Sequence, residues 1–201
     1  FRDLAGRLST QWGGTREALD ASVAGVNRLA QDVADLNDAI RAAKVAGAGT
    51  SELEDRRGQL VSQLGDAIGV VAQPMDDGTV TLSVGGSVLV AGAHVSTPVV
   101  SGPSTGPVSV VWSGSGTPAT VSGGEVGGML TTLDTTIPTV MSRLDTVAAS
   151  VASTVNAQQA AGYDATGAPG GAFFTGTSAA SLQLAGLGAL DEAASAAPPP
   201  A

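Results

Sequence analysis

Between Glu125 and Gln159, apolar residues recur at Val126, Leu130, Leu133, Ile137, Val140, Leu144, Val147 and Val151, in alternating steps of four and three. A seven-residue repeat of this kind puts the side chains on one narrow stripe of a helix, which is buried only against other helices. At ~1.5 Å per residue the predicted helix runs roughly 50 Å, far beyond an average globular helix. Such a length suits a rod or filament subunit better than an enzyme core.

The same periodicity marks Thr15 to Ala46. Leu19, Val26, Val33 and Ile40 stand seven apart, interleaved with Leu29, Leu36 and Ala43, while Asp32, Asp35, Asp38, Arg28 and Arg41 take the other faces. Gly13-Gly14 weaken this helix, each by about 1 kcal/mol relative to Ala, so a bend or a tolerated weak point is expected there, with Thr15 as a candidate cap. Ala46 to Gly49 reads as a turn. Ser51-Glu52-Leu53-Glu54 has capping-box spacing and opens a second helix through Leu53, Leu60, Val61, Leu64 and Ile68. A short loop joining two helices implies an antiparallel hairpin.

At Gly69 the period becomes alternating. Strands are expected at 70–72, 79–84, 87–90, 94–100 and 108–112, with a weaker one at 119–121. Asp76-Asp77-Gly78 and Gly85-Gly86 supply the positive-φ positions of tight hairpins. Ser122 to Glu125 repeats the capping-box spacing at the head of the long helix. Pro138 falls inside that helix, where an interior proline costs about 3 kcal/mol and kinks the axis, so either a bend is wanted there or the helix properly begins near Thr136. The helix is expected to close at Ala161-Gly162, followed by a loop over 163–171, an aromatic anchor at Phe173-Phe174 and an Ala- and Pro-rich disordered tail.

The fold class expected is α+β: an elongated antiparallel helical bundle or coiled-coil domain, with a small antiparallel β domain inserted between helices two and three. The boundaries are 1–68 for the helical hairpin, 69–121 for the inserted β domain, 122–190 for the long returning helix and its loop, and 191–201 for the flexible tail. The expected core stripe is Leu19, Val26, Leu29, Val33, Leu36, Ile40, Leu60, Leu64, Leu130, Leu133, Ile137, Val140, Leu144, Val147 and Val151. Most of its third-helix part should be buried by the first two helices.

Charge narrows the range of partners. The net charge is −9, and eight of the nine basic residues lie between Arg2 and Arg57, leaving only Arg143 beyond. No basic patch exists to neutralise several phosphates or an anionic bilayer, so nucleic-acid and membrane-surface binding are disfavoured. The absence of cysteine removes disulfides, thiolate metal sites and cysteine nucleophiles. No apolar stretch approaches the length of a membrane span. The start, Phe1-Arg2-Asp3-Leu4, shows no signal-peptide pattern and reads as the inside of a helix, so a fragment of a longer chain is expected.

No residue pattern carries catalysis. His94 is the only histidine and is read as structural or exposed; Gly114-Ser115-Gly116 lacks nucleophile-elbow spacing. Asp76-Asp77-Gly78 lacks the alternating oxygens and closing Glu of a calcium loop. Asp164 to Gly167 is read as a turn with Asp as local acceptor. Gly123 to Gly128 sits at a helix N-terminus, where an anion could bind, but has no adjacent Lys or Arg, and Glu125 would repel one. No cofactor or metal is expected, and no enzyme activity.

Several strings together resemble the flagellar hook-associated protein 1 family. They are Ser122 to Leu130, Leu133-Asp134, Ile137-Pro138, Leu144-Asp145, Val155 to Gln158, Gly162-Tyr163-Asp164, Gly167, Pro169-Gly170-Gly171 and Phe173-Phe174. In the first half, Val26-Asn27, Ala34-Asp35-Leu36-Asn37, Ile40, Leu53 to Val61 and Asp76 to Val80 are similar too, so the likeness covers roughly residues 1–185. It implies a flagellin-like plan, with a helical domain carrying an outward β domain, and a structural axial role at the junction of flagellar hook and filament. The partners it implies are further copies of the same chain, the hook protein, the second hook-filament junction protein, and the flagellar export apparatus or chaperone through segments absent here. The implied location is extracellular, reached through the flagellar secretion channel. The terminal polymerisation helices of the family are missing, so this fragment should assemble poorly. The alternatives are another flagellin-superfamily axial protein, such as flagellin or the second junction protein, and a ligand-binding sensor or adhesin ectodomain on a helical stalk.

Overall fold

Helix α1 (Arg2–Val45) runs through Gly13 and Gly14 without interruption, so of the two outcomes expected there the tolerated weak point is the one formed, with neither the bend nor the Thr15 cap. A Cβ at either glycine would meet nothing within 4 Å. The weak point survives because buried Trp12 and Leu19 anchor the helix on either side of it. The computed structural model describes residues 1–163 and 167–185; the expected tail over 191–201 and the Asp164 turn lie outside the described residues. Two compact units are present, Trp12–Thr136 and Phe1–Gln11 with the described residues from Ile137 onward. This partition differs from the one composition suggests.

In the Trp12–Thr136 unit, α1 buries Leu19, Val23, Val26, Ala30, Val33, Ala34, Asn37 and Ile40, a stripe stepping by three and four. Leu29 and Leu36 flank it half-buried. Helix α2 (Ser51–Ile68) adds Leu64 and Ile68, with Leu60 half-buried. The N-cap of α2 is Thr50, one residue earlier than expected, and its side chain bonds no helix N–H. Its hydroxyl donates instead to the Glu54 carboxylate at 2.9 Å. Gly69 ends α2 in the left-handed conformation, φ +73°, donating its N–H to the Gly65 carbonyl, a conformation that costs glycine least.

Four strands then form an antiparallel meander in chain order, β1 (Val71–Pro74), β2 (Val80–Val84), β3 (Ser87–Ala91) and β4 (His94–Val95). Val80, Leu82 and Val84 of β2 turn inward, the period-2 burial of a sheet with one wet face. Gly85 and Gly86, at φ +54° and +83°, make the primed two-residue turn that the sheet twist favours. Strands β5 (Pro98–Ser101) and β6 (Ser109–Trp112) pair as a separate ribbon. The run expected as one strand over 94–100 is thus two, broken at Ser96-Thr97. The weak strand at 119–121 is not formed: Pro118 makes an isolated bridge to Val111, and the Ala119 N–H bonds the Val110 carbonyl at 2.8 Å.

The long helix is three segments rather than one: α3 (Gly124–Thr131), a π-helical turn (Thr132–Thr136) and α4 (Ile137–Ala160). Pro138 has no N–H to offer the Asp134 carbonyl four residues back, and the wider turn immediately before it absorbs that mismatch. Gly123, not Ser122, is the N-cap of α3, without a side-chain cap. Val126 and Leu133 are buried and Leu130 half-buried.

In the other unit, Ala5 packs with Ala148, Ala152, Ala179 and Leu182, flanked by Leu144 and Phe174. Strands β7 (Phe174–Thr175) and β8 (Gln183–Leu184) pair antiparallel beside it. Ile137 is buried, but Val140, Val147 and Val151, expected in the core stripe, are 41%, 51% and 38% exposed. The buried line runs through Ala148 and Ala152, one position beyond Val147 and Val151. Ile137 and half-buried Leu144 keep their expected places, and beyond them a helix of 3.6 residues per turn drifts against a seven-residue repeat, which carries the buried face onto the later residues. The small alanines then allow close backbone packing.

Candidate assembly interface

Three polar clamps fix the surfaces that remain free. Asn37, fully buried on α1, donates from Nδ2 to the carbonyls of Val80 (2.9 Å) and Gly92 (3.0 Å). Its Oδ1 accepts from the Val80 N–H (3.0 Å) and from Arg57 (2.9 Å). One amide therefore behaves like a residue of a neighbouring strand and fastens the sheet to α1. Arg57 donates as well to the Gly78 carbonyl at 2.7 Å. Burial lowers its pKa and Glu54 raises it again, leaving a permanently charged bracket. Second, the Asp134 carboxylate accepts the Val108 N–H at 2.8 Å, and Trp12 donates to the Leu133 carbonyl at 3.1 Å within the π-turn. Third, in the other unit, Asn156 Oδ1 accepts the N–H groups of Phe173 and Phe174, both at 2.8 Å, while its Nδ2 donates to the Phe174 carbonyl at 2.9 Å. The Asp145 carboxylate there accepts the Ala179 N–H at 2.7 Å.

The ends of the β segment are closed by glycine. A Cβ on Gly69 would lie 3.0 Å from Gly123 Cα, and one on Gly124, at φ +65°, would lie 2.6 Å from Ala67 C. Both positions are backbone-to-backbone contacts that only glycine permits. That packing occupies the glycine-rich N-terminus considered for an anion. Glu125 beside it accepts a hydrogen bond from the Ser22 hydroxyl at 3.2 Å.

The remaining candidate positions carry no assembled chemistry. His94 is exposed in β4. Asp77 closes the β1–β2 turn by accepting from the Thr79 hydroxyl (2.7 Å) and N–H (2.9 Å), which lowers its pKa. Among the described residues no three His, Cys, Asp or Glu side chains come together as a metal site, and no helix is long and apolar enough to cross a membrane.

Apolar side chains are instead left on the outside. On α4, Val140, Val147 and Val151 keep heptad-related steps of seven and four along an exposed face. Only Arg143 and Asp145 are charged over the whole of that helix. On the β segment, Val71, Val88 and Val99 are exposed. A helix face with valines at such spacing suits another helix.

A family model described as the flagellar hook-associated protein FlgK helical domain matches residues 1–174. The chain belongs to this family. Flagellar hook-associated protein 1 of Salmonella typhimurium is 34% identical over 169 residues, 79% of this chain and 31% of the relative. Its Escherichia coli K12 counterpart is 33% identical over 168 residues, 78% of this chain and 31% of the relative. The solved flagellar hook junction protein FlgK from Burkholderia pseudomallei superposes with a TM-score of 0.74 at 27% identity, covering 87% of this chain and 33% of that one. The chain thus spans about a third of the length of the FlgK relatives it matches. Its α+β plan, with long helices and a small antiparallel β region between them, is the one found in FlgK. The clamp residues Asn37, Asn156, Asp134 and Asp145 fall inside the matched stretch, as does Asn27, which donates from Nδ2 to the Pro98 carbonyl at 2.9 Å. Of these, Asn37 left a trace in the sequence: it takes a core position between Val33 and Ile40, where an unpaired polar group would be costly.

Proposed function

We propose that this chain is part of a structural axial component of the bacterial flagellum, which forms the hook-filament junction by self-association and by contacts with the hook protein and the second junction protein. The role is architectural, not enzymatic, and the location is outside the cell after passage through the flagellar export channel, aided by an export chaperone. The observation that carries this reading is the exposed valine stripe of α4, in a chain whose family is named for the flagellar hook. In this reading Leu19, Val26, Val33, Ile40, Leu64, Leu133 and Ile137 serve the subunit's own core, whereas Val140, Val147 and Val151 are covered by a helix on assembly. The β segment forms the outer surface and stiffens lateral contacts.

Deletion of the gene in its host tests the proposal. Hooks without filaments, with unpolymerised flagellin released into the medium, are the expected result. Normal filaments on hooks, with no flagellin shed, would overturn it.

A further inference from the structure

The chain passes between its two compact units twice, at Gln11–Trp12 and at Thr136–Ile137, and each passage borders a weakened stretch of helix. In α1 the stretch is Gly13-Gly14. An added Cβ at either would meet nothing within 4 Å, so neither glycine is there to admit a close neighbour. The other glycine pair inside a helix, Gly127-Gly128 of α3, has such a reason, because a Cβ on Gly127 would lie 2.8 Å from Ser122 C. Gly6, Gly25, Gly58 and Gly65 stand singly. An adjacent pair without a packing duty leaves α1 one property there, a looser backbone. At the second passage the weakened stretch is the π-turn Thr132–Thr136 with Pro138 just beyond it. Prolines, π-turns and pairs of small residues are the places where helices bend.

One hydrogen bond ties the two stretches together. In a π-turn the donor that a carbonyl awaits stands five residues on. For Leu133 that residue is Pro138, which has no N–H. The indole N–H of buried Trp12 supplies the missing donor, at 3.1 Å from the Leu133 carbonyl. Trp12 directly precedes the glycine pair. While its ring is pinned to Leu133, α1 cannot turn at Gly13-Gly14. Once the bond opens, Trp12 moves with the residues before it and the pivot falls on the glycines. Two connections must yield together for either to bend, and the second one yields at the π-turn and Pro138.

We propose that Gly13-Gly14, the π-turn and Pro138 form a hinge across both connections, and that the Trp12–Leu133 hydrogen bond is its latch. The hinge goes beyond the junction reading and does not depend on it. Spin labels on Ala24→Cys and Ser150→Cys, at exposed positions with one in each unit, follow it by pulsed dipolar electron spin resonance in the full-length protein, otherwise free of cysteine. Trp12→Phe keeps an aromatic ring and loses the N–H. It is expected to raise the bent population about tenfold, seen as a second distance between the labels. Gly13→Ala with Gly14→Ala, added to Trp12→Phe, is expected to cut that population about thirtyfold. A distance distribution that Trp12→Phe leaves unchanged overturns the latch. A second distance that survives both alanines overturns the hinge. If phenylalanine costs the fold, seen as a loss of helical circular dichroism, 3-benzothienylalanine at position 12 replaces it. That residue has the shape of the indole side chain and no N–H, and the same two outcomes decide.

Discussion

Asn37 satisfies two backbone carbonyls, a backbone N–H and a guanidinium with a single buried amide. Replacing it by alanine strands all four, and an unsatisfied buried polar group costs about 1–3 kcal/mol. Asn37→Ala is therefore expected to lower stability by roughly 3 kcal/mol, measured as a shift of the urea midpoint. Asp77 supplies a pH-dependent counterpart. Bonds from Thr79, side chain first and backbone second, hold its carboxyl below the ordinary 3.8. A carboxyl depressed on folding contributes stability that is complete above the unfolded-state value and drains as pH falls through the lower folded one. Thr79→Val should move the Asp77 midpoint back up, followed by its carbon chemical shift in an NMR titration. An unmoved midpoint would dismiss the Thr79 hydroxyl as the main cause. The stripe positions of α1 were readable because Leu19, Val26, Val33 and Ile40 repeat by seven. The partners of the clamps were not readable: Asn37 betrays itself as a polar residue at a core position, but the strand backbone it pairs with lies more than forty residues on.

At the level of whole elements, α1 runs uninterrupted through two glycines at which an added Cβ would meet nothing within 4 Å. Gly14→Ala should thus stabilise the protein by up to about 1 kcal/mol, read as a higher thermal midpoint. A destabilised variant would mean the glycine is needed for closer packing than the backbone shows. The β1–β2 and β2–β3 hairpins followed from their turn residues, Asp77-Gly78 and Gly85-Gly86, because positive φ is chemistry that a short string announces. The π-turn at Thr132–Thr136 announced itself only as a proline in a helix. Nothing local distinguishes a kink from a wider turn there, and whether Val147 or Ala148 is buried is decided further on, by the drift of a 3.6-residue helix against a seven-residue repeat. One residue of slip moves a helical side chain by about 100°, enough to turn a core stripe into a surface.

For the molecule as a whole, the consequence is a division of apolar residues between folding and assembly. Val147→Asp should leave the urea midpoint of this fragment within ~0.5 kcal/mol, as exposed substitutions do. In the full-length protein the same change should reduce incorporation into flagella, scored by immunogold labelling of hook tips. If Val147→Asp unfolds the fragment, the valine belongs to the fold and not to a partner surface. The split of the chain at Gln11 and at Thr136 was not legible in composition, which marks only the change from helix to sheet at Gly69. Compactness depends on which stretches touch, and alanines such as Ala5, Ala148 and Ala152 give a weak hydrophobic signal while allowing the closest packing.

The stem formed by Gly69, Gly123 and Gly124 makes the β segment a cassette. Its two ends leave the helices side by side, at a distance set by the missing methyl groups, so whatever chain is spliced between them starts and finishes at one point. Closing a longer loop adds only about 0.6 kcal/mol per doubling of its length. A sheet of another size can be grafted onto the same two helix ends if it also presents a backbone edge to Asn37, as Val80 and Gly92 do here.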